Sequence, residues 1–369
     1  MHHDEVFDAL RVWHAEGRQL ALATLVEAAG SAPRPIGARL LVADDGRMAG
    51  SVSGGCVEGA VIDEALRAIS DGRSRLLHFG ISDEASWDVG LTCGGQIDVF
   101  LEPLDEVRLE RLLTVAQAVT AERPVATAAV VRGPDALLGT QLAVYPDSVD
   151  GTWPLPGGDE LVAAMRAALG AVRPRSSLAT ASDGSTIFTD IIAPPPRAWL
   201  IGADHVAVHL ARFVASAGFH PIVVDPRASF ADPERFPDAE VRVAWPDEVL
   251  GDAALGGRDY VVIISNDPKI DEPALAIALA ADPAYIGAIG SRHKQDERRA
   301  SLLASGVSEE RLRDLHAPIG LDLAGNEPAE LALSIAAELV AVRRGGTGHP
   351  MREVRPIMTV DSPLAGSGR

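Results

Sequence analysis

Ala198-Trp-Leu-Ile-Gly-Ala-Asp-His-Val-Ala207 starts as an apolar run and ends as the opening of a helix. The apolar residues 198–201 read as a strand, Gly202 as a tight turn, and residues 206–217 as a helix. His220-Pro-Ile-Val-Val-Asp225 follows as a second strand that ends in an acid 23 residues after Gly202. Strand, glycine turn, helix, strand and acid is the order of a dinucleotide-binding half. Further strands at 241–244, 260–265 and 284–289, and a helix at 273–281, continue the alternation. This half is therefore expected to be a Rossmann-like doubly wound parallel sheet.

The turn departs from the usual fingerprint. Gly202, Asp204 and Ala207 occupy its three glycine positions, and the second is where a pyrophosphate approaches bare backbone. A carboxylate about 4 Å from a phosphate costs about 1 kcal/mol even at the dielectric of water, and more where water is excluded. Asp204 thus argues against ordinary NAD(P) binding while leaving the fold intact. Its other reading is a helix N-cap. Asp225 is the candidate ribose contact. Asn266 and Asp267, in Ser265-Asn-Asp-Pro268, sit at the carboxyl edge of the sheet, as ligand contacts or as an Asx turn. Ile286-Gly-Ala-Ile-Gly-Ser291 leads into Arg292, His293 and Lys294. Gly290, Ser291 and Arg292 are either a phosphate-type site at a helix start or a basic first turn beside acids.

Outward from this core, Ala193-Pro-Pro-Pro196 is a stiff spacer. Residues 327–344 form an amphipathic helix with Pro328 in the first turn and Gly345 past its end. Three segments are expected: a cysteine-containing domain over 1–193, the Rossmann-like domain over 194–346 and a loose tail over 347–369. The first segment mixes helices and strands without a βαβ rhythm, so it is read as mixed α/β, or α+β.

Both cysteines of the chain lie in that first segment, each beside a glycine pair. Cys56 ends Ser53-Gly54-Gly55-Cys56, and Cys93 begins Cys93-Gly94-Gly95. Residues 57–69 carry a helical face, which places Cys56 at a helix N-terminus with Ser53 as a candidate N-cap. Free N–H groups there favour an anion and raise the thiolate fraction. Cys56 and Cys93 are candidate contacts to a soft metal or to sulfur. The alternative for Cys56 is a small buried residue at a tight junction. A polar loop over 80–90 leads toward Cys93.

The net charge of −19 speaks against a nucleic-acid or anionic-membrane binder. No apolar run reaches the ~20 residues of a membrane span, and the charged, amphipathic first residues do not read as a secretory signal. Two cysteines make no disulfide framework. Cytoplasmic residence is the expectation.

Taken together, Gly30-Ser-Ala-Pro33 with Arg39, Ser53-Gly-Gly-Cys-Val-Glu58 and Cys93-Gly-Gly95 resemble the N-terminal domain of the XdhC/CoxI family. Asp225-Pro-Arg227, Tyr285-Ile-Gly-Ala-Ile-Gly-Ser-Arg292 and Ala317-Pro-Ile-Gly-Leu-Asp322 through Glu338 resemble its Rossmann domain. The chain departs from the family pattern at Gly202-Ala-Asp204, at Asn266-Asp267 where His-Asp is frequent, and at Asn326-Glu-Pro-Ala329. The resemblance implies a xanthine dehydrogenase accessory factor. Such a factor binds the molybdenum cofactor (molybdopterin), supports its sulfuration with sulfur from a cysteine desulfurase, and inserts it into an apo-molybdenum hydroxylase. A homodimer fits such a docking role. Two other readings stand beside it: an NAD(P)-dependent oxidoreductase, against which Asp204 weighs, and a scaffold with inert thiols, against which the glycine-flanked cysteines weigh. Two cysteines are too few for the cysteine-ligated iron–sulfur clusters of a complete dehydrogenase of this kind.

Overall fold

The computed structural model describes residues 2–30, 34–80, 95–171 and 175–354. They divide into two compact units, one running to Pro194 and one beginning at Pro195.

The first unit contains α1 (His2–Ala15), β1 (Leu20–Ala29), β2 (Arg39–Ala43), β3 (Met48–Gly50), α2 (Glu58–Asp71), β4 (Arg75–Phe79), β5 (Gln96–Pro103) and α3 (Glu106–Thr120). It continues with β6 (Val125–Arg132), β7 (Gln141–Val144), β8 (Val149–Asp150), α4 (Gly158–Leu169), β9 (Ser177–Thr180) and β10 (Thr186–Ile192). Two antiparallel five-stranded sheets result, ordered β3-β2-β1-β5-β4 and β8-β7-β6-β10-β9. The period-two alternation of β5 shows how the layers form. Ile97, Val99 and Leu101 point to α2, where they pack with Val57, Val61, Ala65 and Ala68. Phe100, from the other face, meets Val131 and Phe188 of the second sheet. Met165 and Leu169 of α4 cover the far side of that second sheet. The unit is thus layered helix, sheet, sheet, helix, and α1 and α3 close one edge of the sandwich through Phe7, Leu10 and Val115.

The second unit contains β11 (Arg197–Ile201), α5 (His205–Ser216), β12 (His220–Val224), β13 (Glu240–Arg242), α6 (Pro246–Asp252), β14 (Asp259–Ile263), α7 (Pro268–Ala280), β15 (Tyr285–Ala288), α8 (Arg292–Ala304), β16 (Leu315–His316) and α9 (Pro328–Arg344). Its strands are ordered β13-β12-β11-β14-β15-β16, with every neighbouring pair parallel. This is the strand order of a Rossmann sheet, whose direction reverses between its first and fourth strands, here β11 and β14. Near-continuous apolar strands follow from burial on both faces. Leu200, Val223 and Val262 face α5 and α9, while Trp199, Ile201, Val224 and Ile263 face α6 and α7. Glu338 clamps α9 to the sheet by accepting from the Tyr285 hydroxyl at 2.9 Å and bonding His316 Nδ1 at 2.7 Å.

One expected boundary shifts, and one helix is added. α7 begins five residues before the expected 273, because Asp267 caps it and accepts from Lys269 N–H at 3.0 Å. Pro273 is accommodated inside the helix, where it removes one backbone donor. A short helix, α6, appears where no helix was expected.

Candidate functional site

In the first unit the site is the turn that joins β3 to α2. Gly54 and Gly55 adopt φ of +77° and +115°, values open to glycine and strained for other residues. Both are exposed, and space beyond Gly55 is open. Cys56 follows, half-buried against the α2 face of the sheet. Ser53 is fully buried. It is not the N-cap of α2, contrary to expectation: the helix begins one residue later than expected, and Val57 holds that position. Ser53 Oγ instead accepts from Val57 N–H at 3.0 Å.

The group that organises this turn is Glu58. Its carboxylate accepts from Ser51 Oγ at 2.6 Å, Ser53 N–H at 2.9 Å, Gly55 N–H at 2.8 Å and Val57 N–H at 3.3 Å, and from the Ser53 hydroxyl. Burial works to raise its pKa, but the hydroxyls of Ser51 and Ser53 and the backbone donors outweigh it and hold the carboxyl at about 2. The anion at this helix start is therefore the chain's own side chain, and the N–H groups of Ser53, Gly55 and Val57 are already used by it and by Ser53. What remains exposed is the bare Gly54-Gly55 surface, with the half-buried Cys56 side chain beside it. An acid in the first helical turn was the available signal for Glu58.

Gly95 is buried at the start of β5. Cys93, Gly94 and the 81–90 part of the polar loop lie outside the described residues, as do Ser31–Pro33 and residues 355–369. On the inner face of the sheets, Asp98 bonds His78 Nδ1 and the Arg132 guanidinium. Arg39 bridges the sheets to Asp190 at 2.6 Å with both side chains buried. Among the described residues no group of three or more His, Cys, Asp or Glu is placed to hold a metal ion.

In the second unit the expected residues gather at the carboxyl edge of the sheet. Gly202, at φ +107°, packs so closely on the end of β14 that a Cβ would lie 2.7 Å from Ser265 N. Asp204 is the N-cap of α5 and accepts from Ala207 N–H at 3.1 Å. Asp225 is fully buried and accepts from Ala203 N–H at 2.9 Å and from Arg227. Burial tends to raise its pKa, and the bonds from Arg227 and the backbone overcome this and lower it. Asn266 stands exposed at φ +58°, and its Oδ1 lies 3.8 Å from the position a Gly290 Cβ would take. Gly202, Ser265, Asn266 and Gly290 therefore line one edge across the point where the strand order reverses.

Ser291 caps α8, accepting from Lys294 N–H at 3.4 Å. His293 sits 3.5 Å from Glu297, while the Arg292 side chain lies outside the description. Behind the edge is a network that the spacing did not reveal. Ser265 Oγ bonds Asp271, Arg298 reaches Asp271 at 2.9 Å, and Gln295 accepts from Arg298 at 2.7 Å. Burial raises the Asp271 pKa against the pull of Ser265 and Arg298.

Fold and site thus define a class: a cysteine-bearing two-sheet domain joined in one chain to a Rossmann-type domain with an acidic fingerprint turn. The first unit matches the model of the XdhC and CoxI family over residues 13–80, and the second matches the XdhC Rossmann domain over residues 198–339. The chain belongs to the XdhC and CoxI family. It is 27% identical over 330 residues to a probable xanthine dehydrogenase subunit of Bacillus subtilis, covering 88% of this chain and 94% of that protein. It is 28% identical over 328 residues to the molybdenum cofactor insertion chaperone PaoD of Escherichia coli, covering 89% and 84% respectively. A crystal structure of a xanthine dehydrogenase from Bacillus halodurans superposes with a TM-score of 0.72 at 26% identity, covering 92% of this chain and 96% of that one. Among the described residues no helix is long and apolar enough to cross a membrane.

Proposed function

We propose that this chain is an accessory factor that binds the molybdenum cofactor as cargo, supports its sulfuration and inserts it into a xanthine dehydrogenase-type molybdenum hydroxylase. The observation that carries this reading is the Gly54-Gly55-Cys56 surface, held in shape from behind by Glu58 in the domain that matches the family. Bare backbone lets a flat, sulfur-rich ligand approach closely. A thiol beside it suits a soft molybdenum–sulfur centre or a transferred sulfur. The insertion chaperone among the relatives matches most of this chain and supports the same reading.

The finer parts of the proposal are these. Cys56, and with it Cys93, touches the molybdenum or its sulfur. Ser53, Gly54, Gly55, Gly94 and Gly95 shape that surface. Gly202, Asn266, Gly290, Ser291 and Arg292 serve a second contact region for the phosphate-bearing part of a ligand, and Asp204, Asp225 and Asp267 border it as the acids that hold its turns and helix starts in place. A cysteine desulfurase supplies the sulfur, and the factor acts as a homodimer.

The test is metal and pterin analysis of protein purified from a host that makes molybdopterin, with Cys56→Ala and Cys93→Ala alongside. Molybdenum and pterin should co-purify with the natural chain, and Cys56→Ala should retain less and deliver less to an apo-hydroxylase. Retention and delivery unchanged in both variants would defeat the role given to the thiols.

A further inference from the structure

Asp225 ends β12 where a dinucleotide fold usually offers an acid to the ribose hydroxyls. Here both of its oxygens are engaged within the protein. Oδ2 accepts from Ala203 N–H at 2.9 Å and from Arg227 Nη2 at 2.7 Å, and Oδ1 accepts from Arg227 N–H and from Arg227 Nε, each at 2.9 Å. A carboxylate offers about four lone-pair sites, so little is left for a diol.

Arg227 is held from two sides. Its Nε and Nη2 edge forks onto Asp225, and its Cζ lies 4.0 Å from the centre of the Phe230 ring. Nη1 makes no hydrogen bond among the described residues, and the side chain is 37% exposed. Its charged form is favoured first by Asp225 and then by the nearby Asp267 and Asp204. A guanidinium fixed in plane by a buried carboxylate and an aromatic face, with one edge open, is preorganised for an oxyanion.

We infer that Arg227 is the ligand-recognising group at the end of β12, and that it selects a phosphomonoester where an NAD-type site would meet a ribose diol. Asp204 and Asp267 weaken the binding of any anion here and oppose the more charged ligand more strongly, so a preference for the phosphorylated ligand has to be carried by the Arg227 contact itself. The inference does not depend on what Cys56 holds.

The test compares NADP+ with NAD+, which share the pyrophosphate and differ by one 2′-phosphate, on the full chain and on Asp204→Gly. NADP+ should bind about tenfold or more tighter than NAD+, the value of one charge-assisted contact. Arg227→Gln should bring the ratio to about one, and Arg227→Lys should restore part of it. Arg227 also covers a buried carboxylate, so Phe230→Leu, which removes the ring but leaves the fork, serves as a second variant. It should narrow the ratio without changing the thermal melt. Equal affinities for the two dinucleotides, a preference that survives Arg227→Gln, or no binding of either ligand by both proteins overturns the inference. The guanidinium would then be a lid on Asp225.

Discussion

Glu58 accepts the N–H of Gly55 at 2.8 Å, so the acid of the first turn of α2 fixes the glycine that precedes Cys56. The reactive-looking surface of this turn depends on a residue that no ligand needs to touch.

Stability should record this dependence. The Glu58 carboxyl titrates at about 2 when folded, against an ordinary 4.5. A depressed folded pKa adds stability that is present above the ordinary value and is lost as pH falls toward 2. The shift corresponds to about 3 kcal/mol. Glu58→Gln is expected to lower the unfolding free energy by about 2–3 kcal/mol at pH 7, with the difference shrinking between pH 4.5 and 2. Urea titrations of both proteins across that range would read it. A gap that stays constant with pH would mean that the lost contacts are geometric rather than ionic.

Cys56→Ala should separate function from folding. The side chain is half-buried at the margin of its apolar cluster, so truncation should cost about 1 kcal/mol or less. Loss of cofactor retention with a melting curve close to that of the natural chain is the expected pair of results. A large drop in melting temperature would point to the junction-packing role.

Gly202 should tolerate no side chain. Its φ is +107°, and a Cβ would meet Ser265 N at 2.7 Å and Ser265 Cα at 2.8 Å. Gly202→Ala is expected to destabilise the Rossmann unit by about 2–4 kcal/mol through strain and forced separation of β11 from β14. Calorimetry of the full chain should show the loss. A melt within a degree of the natural protein would show that the strand ends can part freely.

Much of this is legible from residue order. The apolar run 198–201, the glycine after it and the acid at 225 lead to a parallel sheet because strands covered on both faces need near-continuous apolar sequence, and β11, α5 and β12 form there. The two antiparallel sheets of the first unit are less readable. Short β3, β8 and β9 hold their places through register with longer neighbours, which leaves little local pattern. At the site, Cys56 and its glycines stand out by composition. Glu58 does not, because its five donors come together only when the turn closes. The same applies to Asp271 and Arg298, 27 positions apart and joined at 2.9 Å. Asp204 carries two readings in the sequence, and in the fold it is the cap of α5.

Those two readings can be separated by substitution. Asp204→Asn keeps an N-cap oxygen for Ala207 N–H and removes the charge, whereas Asp204→Gly removes both at a cap penalty of a few tenths of a kcal/mol. If the carboxylate is the obstacle to a pyrophosphate, both variants should bind NAD+ more tightly than the natural chain, by about fivefold or more. Isothermal titration would measure it. Equal, tight binding by all three proteins would show the electrostatic argument to be wrong.

Glu102 should behave oppositely to Glu58. It is buried between the two sheets of the first unit, beside a cavity of about 60 Å³ that Arg39, Arg108 and Arg111 also line. Gln141 Nε2 donates to it at 2.5 Å, and the Arg108 guanidinium lies 3.8 Å away. Burial raises its carboxyl to about 7, and Arg108 and Arg39 only partly offset this. A raised folded pKa means that the protonated form is favoured by folding. Its contribution to stability is complete below about 4.5 and is lost as pH rises through 7. Glu102→Gln carries no proton to lose, so it should match the natural chain near pH 4.5 and exceed it by about 2–3 kcal/mol at pH 8. Denaturant midpoints at the two pH values give the answer. A variant that is less stable at pH 8 would mean that the three guanidinium groups hold an ionised carboxylate, and that charge, rather than dehydration, governs the space between the sheets.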